Sequence, residues 1–481
     1  MKTRIKITAL LLAAAMALTG CADNAVTSSV NDSNSTSKVE SSVSEPETES
    51  KEESSTPESE TESKEETSAP ETTTTTTTKA PETTTNAPET ESKEETSMNE
   101  TQKPNEEKPD ADPVYSAMVE RSLMELGNLQ RMKKFFEKLE NGEEVTVAFI
   151  GGSITEGMTA GAELCWARLT YKALCEQYPN AKINYVNAGM SGTPSILGNI
   201  RAGRDVLCHK PDLTFVEFAV NDGMGQEYKD SYEALVRTLL EQEGSPAVAL
   251  YFTVIKSGHT CEKHMSEIGR FYGLPMVSLN NVLSVEFDEG RMTWEDYSDD
   301  ESHPNVWGHE MTKDLIMNML DEAKAKIDKG GIGEIEALPS TWVNNDRFYG
   351  MEFFDDANPV DGFTMTDTGS FSGEKDTISQ FPNGWIALIA PKDAKPMKFT
   401  FEGKTLMMVY KCVKSQRGGS VKVIVDGKET GIYSTQADDG WSNPVAVQVF
   451  TGDEGVHEVT IELVDKDGKM VTADILGFGV C

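Results

Sequence analysis

Two glycines separate Ser153 from the apolar run before it. The stretch from Val147 to Gly157, VAFIGGSITEG, passes from Val-Ala-Phe-Ile to Gly-Gly-Ser with no transition. A buried strand reads this way when it carries a small hydroxyl residue to the edge of a sheet, although a tight turn gives the same pattern. Three other stretches have a similar place. NAGMSGTPS (187–195) and AVNDG (219–223) each overlap the end of an apolar strand-like run, and DDESHPNVWGH (299–309) leads into a long helical pattern. Taken singly, Gly-Ser and Asn-Asp are ordinary turn sequences. Gathered at one edge, the four stretches bring together a hydroxyl, glycine-flanked backbone N–H groups, a carboxamide, a carboxylate and an imidazole. That set suits acyl transfer through a serine: a base takes the hydroxyl proton while fixed donors hold the oxyanion.

The elements between these stretches are the kind that gather them. SAMVERSLMELGNLQRMKKFFEKLE (116–140) has apolar residues at helical spacing, and EVTVAFIGG (144–152) reads as a buried strand. A helix over 162–179, a strand KINYVNAG (182–189), a helical segment 194–209 and a strand PDLTFVEFAV (211–220) follow. Next come a helix over 227–243, the strand PAVALYFTVI (246–255), a helix over 261–273 and the short strand PMVSL (275–279). The last helix spans about Pro304 to Asp328, with proline near its first turn. Strands alternating with helices predict a parallel sheet covered on both faces, and ligands of such sheets sit beyond the C-terminal strand ends. Residues 113–330 form this α/β domain. From 331 to 481 the pattern becomes short alternating apolar runs such as PVAVQVF and HEVTIELV, punctuated by Gly and Asp, with an Asp-Gly hairpin signal in VDGK (425–428). This predicts a separate antiparallel β-sandwich. Trp385 and Trp441 within it either stack on sugar rings or fill its core.

The N-terminal part carries a different message. Lys2, Arg4 and Lys6 precede a short apolar run from Ile7 to Leu18, too short to span a bilayer but suited to a secretory signal over residues 1–20. Leu18-Thr19-Gly20-Cys21 resembles the bacterial lipobox, which implies cleavage before Cys21, lipidation of its thiol, and attachment to the membrane through that lipid alone. The other reading is an ordinary signal peptide with Cys21 an incidental thiol. Residues 21–112 are Thr, Ser, Glu and Pro, with ETESKEESS (47–55) nearly repeated as ETESKEETS at 60–68 and 89–97. Such a segment cannot bury enough apolar surface to fold, and it reads as an extracytoplasmic tether of ~280 Å at full extension.

Charge and cysteine content narrow the partners. Of the net charge of −36, the 24 acidic and 7 basic residues of Ala22–Asp112 hold −17, and with three basic residues before them, 113–481 hold −22. An acidic folded part excludes nucleic acid and direct docking on anionic lipid. Cys165, Cys175, Cys208, Cys261, Cys412 and Cys481 form no CxxC pair, so a zinc knuckle is not expected. His209, His259, His264 and His309 have no metal-ligand spacing, and GxxxxGK[ST] is absent. No cofactor is expected.

The four stretches, in their order, resemble the blocks of the SGNH hydrolases, also called GDSL esterases, over about residues 140–328. The resemblance implies a flavodoxin-like three-layer α/β/α parallel sheet, here followed by a jelly-roll-like sandwich. It implies Ser153 in GGSIT as nucleophile, with His303 as its base and Asp300 orienting His303. Asp299, one residue away, lacks the three-residue offset. The backbone N–H groups of Ser153 and Gly192 and the side chain of Asn221 are implied as oxyanion donors. Asp222 and Glu217 are expected to be structural. One departure stands out: the aspartate of GDS is Gly152 here. Exported members with an appended β-domain resemble carbohydrate esterases, so an acylated, most simply acetylated, polysaccharide is the expected substrate at the cell surface. A lipid esterase and a non-catalytic glycan binder are the other readings.

Overall fold

The computed structural model describes residues 112–373, 378–415, 417–464 and 468–481. The expected signal, Cys21 and the tether up to residue 111 lie outside the described residues. The α/β domain begins with α1 (Pro113–Ser122), whose N-cap Asp112 accepts the Val114 N–H. It continues through β1 (Leu123–Glu125), α2 (Gln130–Glu140), β2 (Glu144–Gly151), α3 (Ser153–Glu156), α4 (Trp166–Gln177), β3 (Lys182–Gly189) and α5 (Ser195–Asp205). Then follow β4 (Leu213–Glu217), α6 (Gln226–Leu240), β5 (Ala247–Phe252), α7 (Glu262–Tyr272), β6 (Met276–Ser278), α8 (Asn280–Asp288), α9 (Trp294–Tyr297) and α10 (Val306–Asp328).

The strands lie in the order β1-β6-β5-β4-β2-β3. All neighbours are parallel except β1, which pairs antiparallel to β6 and makes the sheet mixed. The near-continuous apolar runs of the central strands follow from burial on both faces. Val145, Val147 and Phe149 of β2 join one core with α2, α4 and α10, while Ala148 and Ile150 join the other with α6 and α7. From β2 the chain adds β3 on one side and then β4 on the other. The C-terminal end of β2 is therefore the switch point at which open α/β sheets place a ligand.

Two local expectations need correction, and one stretch that carried no expectation proves to be helical. The helical pattern over 116–140 is two helices with β1 between them. The break falls at Gly127, where φ is +65° and a side chain would meet the Gly273 carbonyl at 2.1 Å. Between β6 and α10 the chain forms α8 and α9, whose short apolar stretches gave too few turns to show a period. Pro304 precedes α10 instead of occupying its first turn; Asn305 is the N-cap and accepts the Gly308 N–H at 2.9 Å.

The second folded part is all antiparallel: β7 (Glu352–Phe354), β8 (Thr364–Asp367), β9 (Ser372–Gly373), β10 (Trp385–Ile389), β11 (Met397–Val413), β12 (Ser420–Val425), β13 (Lys428–Ser434), β14 (Trp441–Leu463) and β15 (Val471–Val480). PVAVQVF and HEVTIELV are one continuous strand, β14, paired along the length of β11. Near Gly403 the register shifts and β11 changes neighbours, from β8 at Lys398–Thr400 to β15 at Leu406–Tyr410. Two long strands thus serve both halves of the domain. The Asp426-Gly427 turn joins β12 to β13 with positive φ at both residues, as a two-residue hairpin requires.

The two parts share a hydrophobic cluster. Leu406, Met408 and Tyr410 of β11 face the β-domain core, whereas Met407 and Val409 pack with Ile196, Leu197 and Ile200 of α5. This explains why LMMV (406–409) is apolar without alternation. Asn199 donates to the Phe348 carbonyl at 2.8 Å, and the Arg204 guanidinium lies over the rings of Phe353 and Phe381. Glu233 of α6 accepts the Val343 and Asn344 N–H groups, each at 2.7 Å, and so holds the segment that connects the parts.

Candidate active site

The ends of β2, β3 and β4 are in register: Gly151 lies beside Gly189 on one side and Glu217 on the other. Ser153 opens the short turn α3 immediately beyond, and its side chain is largely buried. His303 comes from the loop before α10. Its Nε2 is 2.9 Å from Ser153 Oγ, and its Nδ1 is 2.7 Å from Asp300 Oδ2. Asp300 Oδ1 accepts the N–H groups of Ser302 at 2.7 Å and His303 at 2.6 Å. Burial works to raise the Asp300 carboxyl, but these N–H groups and the imidazole outweigh it and hold it below its ordinary value. An ionised Asp300 fixes the proton on Nδ1 and leaves Nε2 free to accept from the serine. Asp299 is exposed and Asp300 occupies the position against the ring. The loop is braced from below: Ser298 Oγ donates to the Asp300 carbonyl at 2.9 Å, and Trp294 Nε1 donates to the same oxygen at 2.5 Å.

Gly192 and Asn221 arrive on the two flanks of Ser153. Gly192 has φ +68°, and neither its N–H nor that of Ser153 makes a hydrogen bond among the described residues. The Asn221 amide lies against Gly152. A Cβ at position 152 would meet Asn221 Oδ1 at 2.1 Å. The place of the GDS aspartate is thus filled in this chain by the carboxamide, which accounts for glycine there. Ser153, His303 and Asp300 form a continuous hydrogen-bonded row, and the Gly192 loop and the Asn221 amide adjoin the turn that carries Ser153. This arrangement can deprotonate the serine and stabilise a tetrahedral oxyanion.

Residues 149–311 match the model of the GDSL-like Lipase/Acylhydrolase family. The matched stretch lies within the α/β part, whose fold is that of an SGNH hydrolase domain. A crystal structure of a two-domain esterase active on acetylated mannans is similar to this chain with 26% identity and a TM-score of 0.66, over 75% of this chain and 98% of that one. The same esterase co-crystallised with mannopentaose gives 26% identity and a TM-score of 0.65 over 75% and 97%. The acetylxylan esterase of Geobacillus stearothermophilus is 25% identical over 207 residues, 36% of this chain and 91% of the relative. Its match, at 36% of the chain, is no longer than one domain, whereas the two-domain esterase is matched over 75%, more than the hydrolase domain alone can supply.

Further groups brace the site; Glu156 and Thr159 have no signal in the sequence, whereas Glu217 is expected there to be structural. Glu156 of α3 accepts the Ser191 N–H at 2.7 Å, tying the nucleophile turn to the Gly192 loop. Thr159, at φ +75°, donates from Oγ1 to the Pro304 carbonyl at 2.5 Å and so joins that turn to the histidine loop. Glu217 lies fully buried beneath Ser153 and accepts from Thr253 Oγ1 at 2.7 Å and Thr155 Oγ1 at 2.9 Å. Burial raises its carboxyl despite these bonds. His309 is buried and accepts the Trp166 N–H at 3.2 Å, and burial pushes it down to about 4; it packs the core. Among the described residues no group of three His, Cys, Asp or Glu side chains is placed to hold a metal ion.

The two tryptophans divide. Trp385 is 1% exposed and stacked with Phe354 in the β-domain core, so the sugar-stacking option fails for it. Trp441 is 58% exposed, and its ring edge lies 2.8 Å from where a Cβ on Gly192 would be. The β-domain thus borders the hydrolase site through one aromatic ring. That ring sits between Gly440, which has no room for a side chain against Val413, and Ser442 at φ +74°. Backbone strain of this kind collects at ligand-handling positions.

Proposed function

We propose that this protein is an exported, lipid-anchored serine esterase that removes acetyl groups from neutral polysaccharides. The observation that carries the reading is the Ser153–His303–Asp300 row at the switch point of the sheet, flanked by free N–H groups at Ser153 and Gly192. Trp441 beside Gly192 supports a sugar ring as the group bearing the ester. The similarity to esterases named for acetylated mannans and acetylxylan supports acetyl as the acyl group.

The chemistry follows from the geometry. Ser153 Oγ attacks the acetyl carbonyl carbon as its proton passes to His303 Nε2. The carbonyl π electrons move to oxygen, where the Ser153 and Gly192 N–H groups and the Asn221 amide donate. Collapse breaks the bond to the sugar oxygen, which takes the proton from His303. Water, deprotonated by His303, then attacks the acetyl-serine, and acetate leaves as Ser153 regains its proton. Asp300 stabilises the imidazolium formed in each half.

A second reading, an esterase for lipid or short-chain acyl groups, draws on the exposed Met158, Leu164 and Met224 in loops close in sequence to Ser153 and Asn221. Acetate release from acetylated mannan and acetylated xylan, alongside p-nitrophenyl esters of rising chain length, separates the two. The proposal expects acetate from a glycan and a steep fall beyond the acetyl ester. Preference for long acyl chains with no release from either glycan would contradict it. The anchor rests on the sequence around Cys21 and predicts that Cys21→Ser releases the protein from membranes.

A further inference from the structure

Asp222 follows Asn221 directly, and the mechanism above does not use it. Its side chain is fully buried. Oδ1 accepts the Ser195 N–H at 2.6 Å, and Oδ2 has no partner among the described residues. Its carbonyl is held from the other side, by His259 Nε2–H at 3.1 Å and the Cys261 thiol at 3.2 Å. Its N–H and that of Asn221 both donate to the Phe218 carbonyl. Asp222 is therefore a fixed point.

Ser195 is not near Asp222 in sequence. It is the first residue of α5 and lies three residues past Gly192. The segment from 190 to 195 thus has two side-chain tethers to the other blocks: Ser191 to Glu156 in the nucleophile turn, and Ser195 to Asp222 in the Asn221 turn. Gly192 hangs between them with φ +68° and no hydrogen bond from its own N–H. The Met190 N–H to the Gly151 carbonyl at 3.1 Å and the Thr193–Met190 turn hold the near side of this loop, so the Ser195–Asp222 bond is the tether that ties it directly to the Asn221 turn.

A buried carboxyl with one partner is destabilising in itself. Burial pushes Asp222 up to about 7, with the Ser195 hydroxyl and N–H drawing it back and Glu217 pushing it further up. Tyr232, Glu217, His259 and Cys261 are the titratable groups around it. An apolar residue would fill the space at less cost, so the carboxyl needs a reason connected with what it holds.

We propose that Asp222 is a positioning residue whose bond to the Ser195 N–H sets the spacing between the Gly192 and Asn221 oxyanion donors. The inference rests on the reading of Ser153 as nucleophile and of Gly192 and Asn221 as donors. Donors placed about 1 Å from their productive position lose on the order of a hundredfold in rate, and the loss falls on the transition state, not on substrate binding.

The test is steady-state hydrolysis of p-nitrophenyl acetate by the full chain carrying Asp222→Ala or Asp222→Asn, with thermal unfolding of each. Asp222→Ala is expected to lower kcat about tenfold to a hundredfold with KM little changed. Asp222→Asn keeps an oxygen acceptor for the Ser195 N–H and is expected to recover most of that loss. If the Ala variant does not fold, Asp222→Leu replaces it, since it fills the volume and removes both the acceptor and the buried carboxyl. The role is overturned by a folded Ala or Leu variant at wild-type kcat, by a loss confined to KM, or by an Asn variant as slow as Ala. Ser153→Ala is run in parallel. Activity surviving in that variant overturns the underlying site, whereas a dead Ser153→Ala beside an unaffected Asp222→Ala overturns the Asp222 role alone.

Discussion

Replacing Gly152 with alanine tests how tightly Asn221 is placed. The added Cβ would lie 2.1 Å from Asn221 Oδ1, 2.7 Å from Cγ and 2.9 Å from Nδ2, against ordinary contacts that begin at 3.4 Å. The backbone on both sides is fixed, by β2 before Gly152 and by the Asn221 N–H to the Phe218 carbonyl at 3.0 Å. The amide therefore has to retreat by roughly 1 Å, far enough to lose an oxyanion contact. Loss of one such donor costs about 2.7–4 kcal/mol of barrier, a fall of about 100- to 1,000-fold in kcat. KM for p-nitrophenyl acetate should change little, because the donor engages the developing charge and not the bound ester. The control is a double-mutant cycle with Asn221→Ala, which empties the space the new methyl group needs. Gly152→Ala should be severe in the wild type and add little in the Asn221→Ala background. The reasoning fails if Gly152→Ala keeps near-wild-type kcat, or if it costs the same factor in both backgrounds.

Trp385→Ala should destabilise the protein by about 3–5 kcal/mol, through a cavity in the β-domain core, and leave the activity per folded molecule intact. Trp441→Ala should do the reverse: an unchanged melting temperature, a raised KM for an acetylated glycan and a smaller effect on p-nitrophenyl acetate; an unchanged glycan KM would remove Trp441 from the substrate site. The buried Asp222 carboxyl, raised from 3.8 to about 7, favours the protonated form in the folded state. The associated stability is full below pH 4 and is lost as pH rises through about 7. Asp222→Asn should therefore gain on the wild type over that interval, by up to about 4 kcal/mol. A stability difference independent of pH would show that Asp222 does not titrate there.

The sequence made some of this architecture readable and hid the rest for physical reasons. Ser153 stood out because a strand buried on both faces is apolar until it ends, and the Asp300–His303 pair because three residues bring a carboxylate onto its own imidazole. The alternation of strand and helix was equally plain. The break at Gly127 was not, since the apolar residues Val119, Leu123, Leu126, Leu129, Met132 and Phe136 keep near-helical spacing straight through it, while the close approach to Gly273 appears only on folding. The continuity of β14 was masked by the glycines and acidic residues at 452–455, which read as a turn; Gly455 pairs with Gly403 and Thr451 with Thr405, and 452–454 form the irregularity between them. Glu156, Asp222 and Trp441 carried no local pattern, because each acts on a partner brought near only by folding. Trp441 and Trp385 were indistinguishable as letters; their neighbours separate them.

The account depends on Ser153 being the group that attacks the ester. Treating the protein with a p-nitrophenyl phosphonate, in which phosphorus bonds to the nucleophile as p-nitrophenolate leaves, and mapping the added mass tests this most directly. The expected result is a single adduct on Ser153, formed in step with loss of esterase activity and all but absent from His303→Ala. An inactivated protein labelled elsewhere, or labelling of His303→Ala at the wild-type rate, would contradict it.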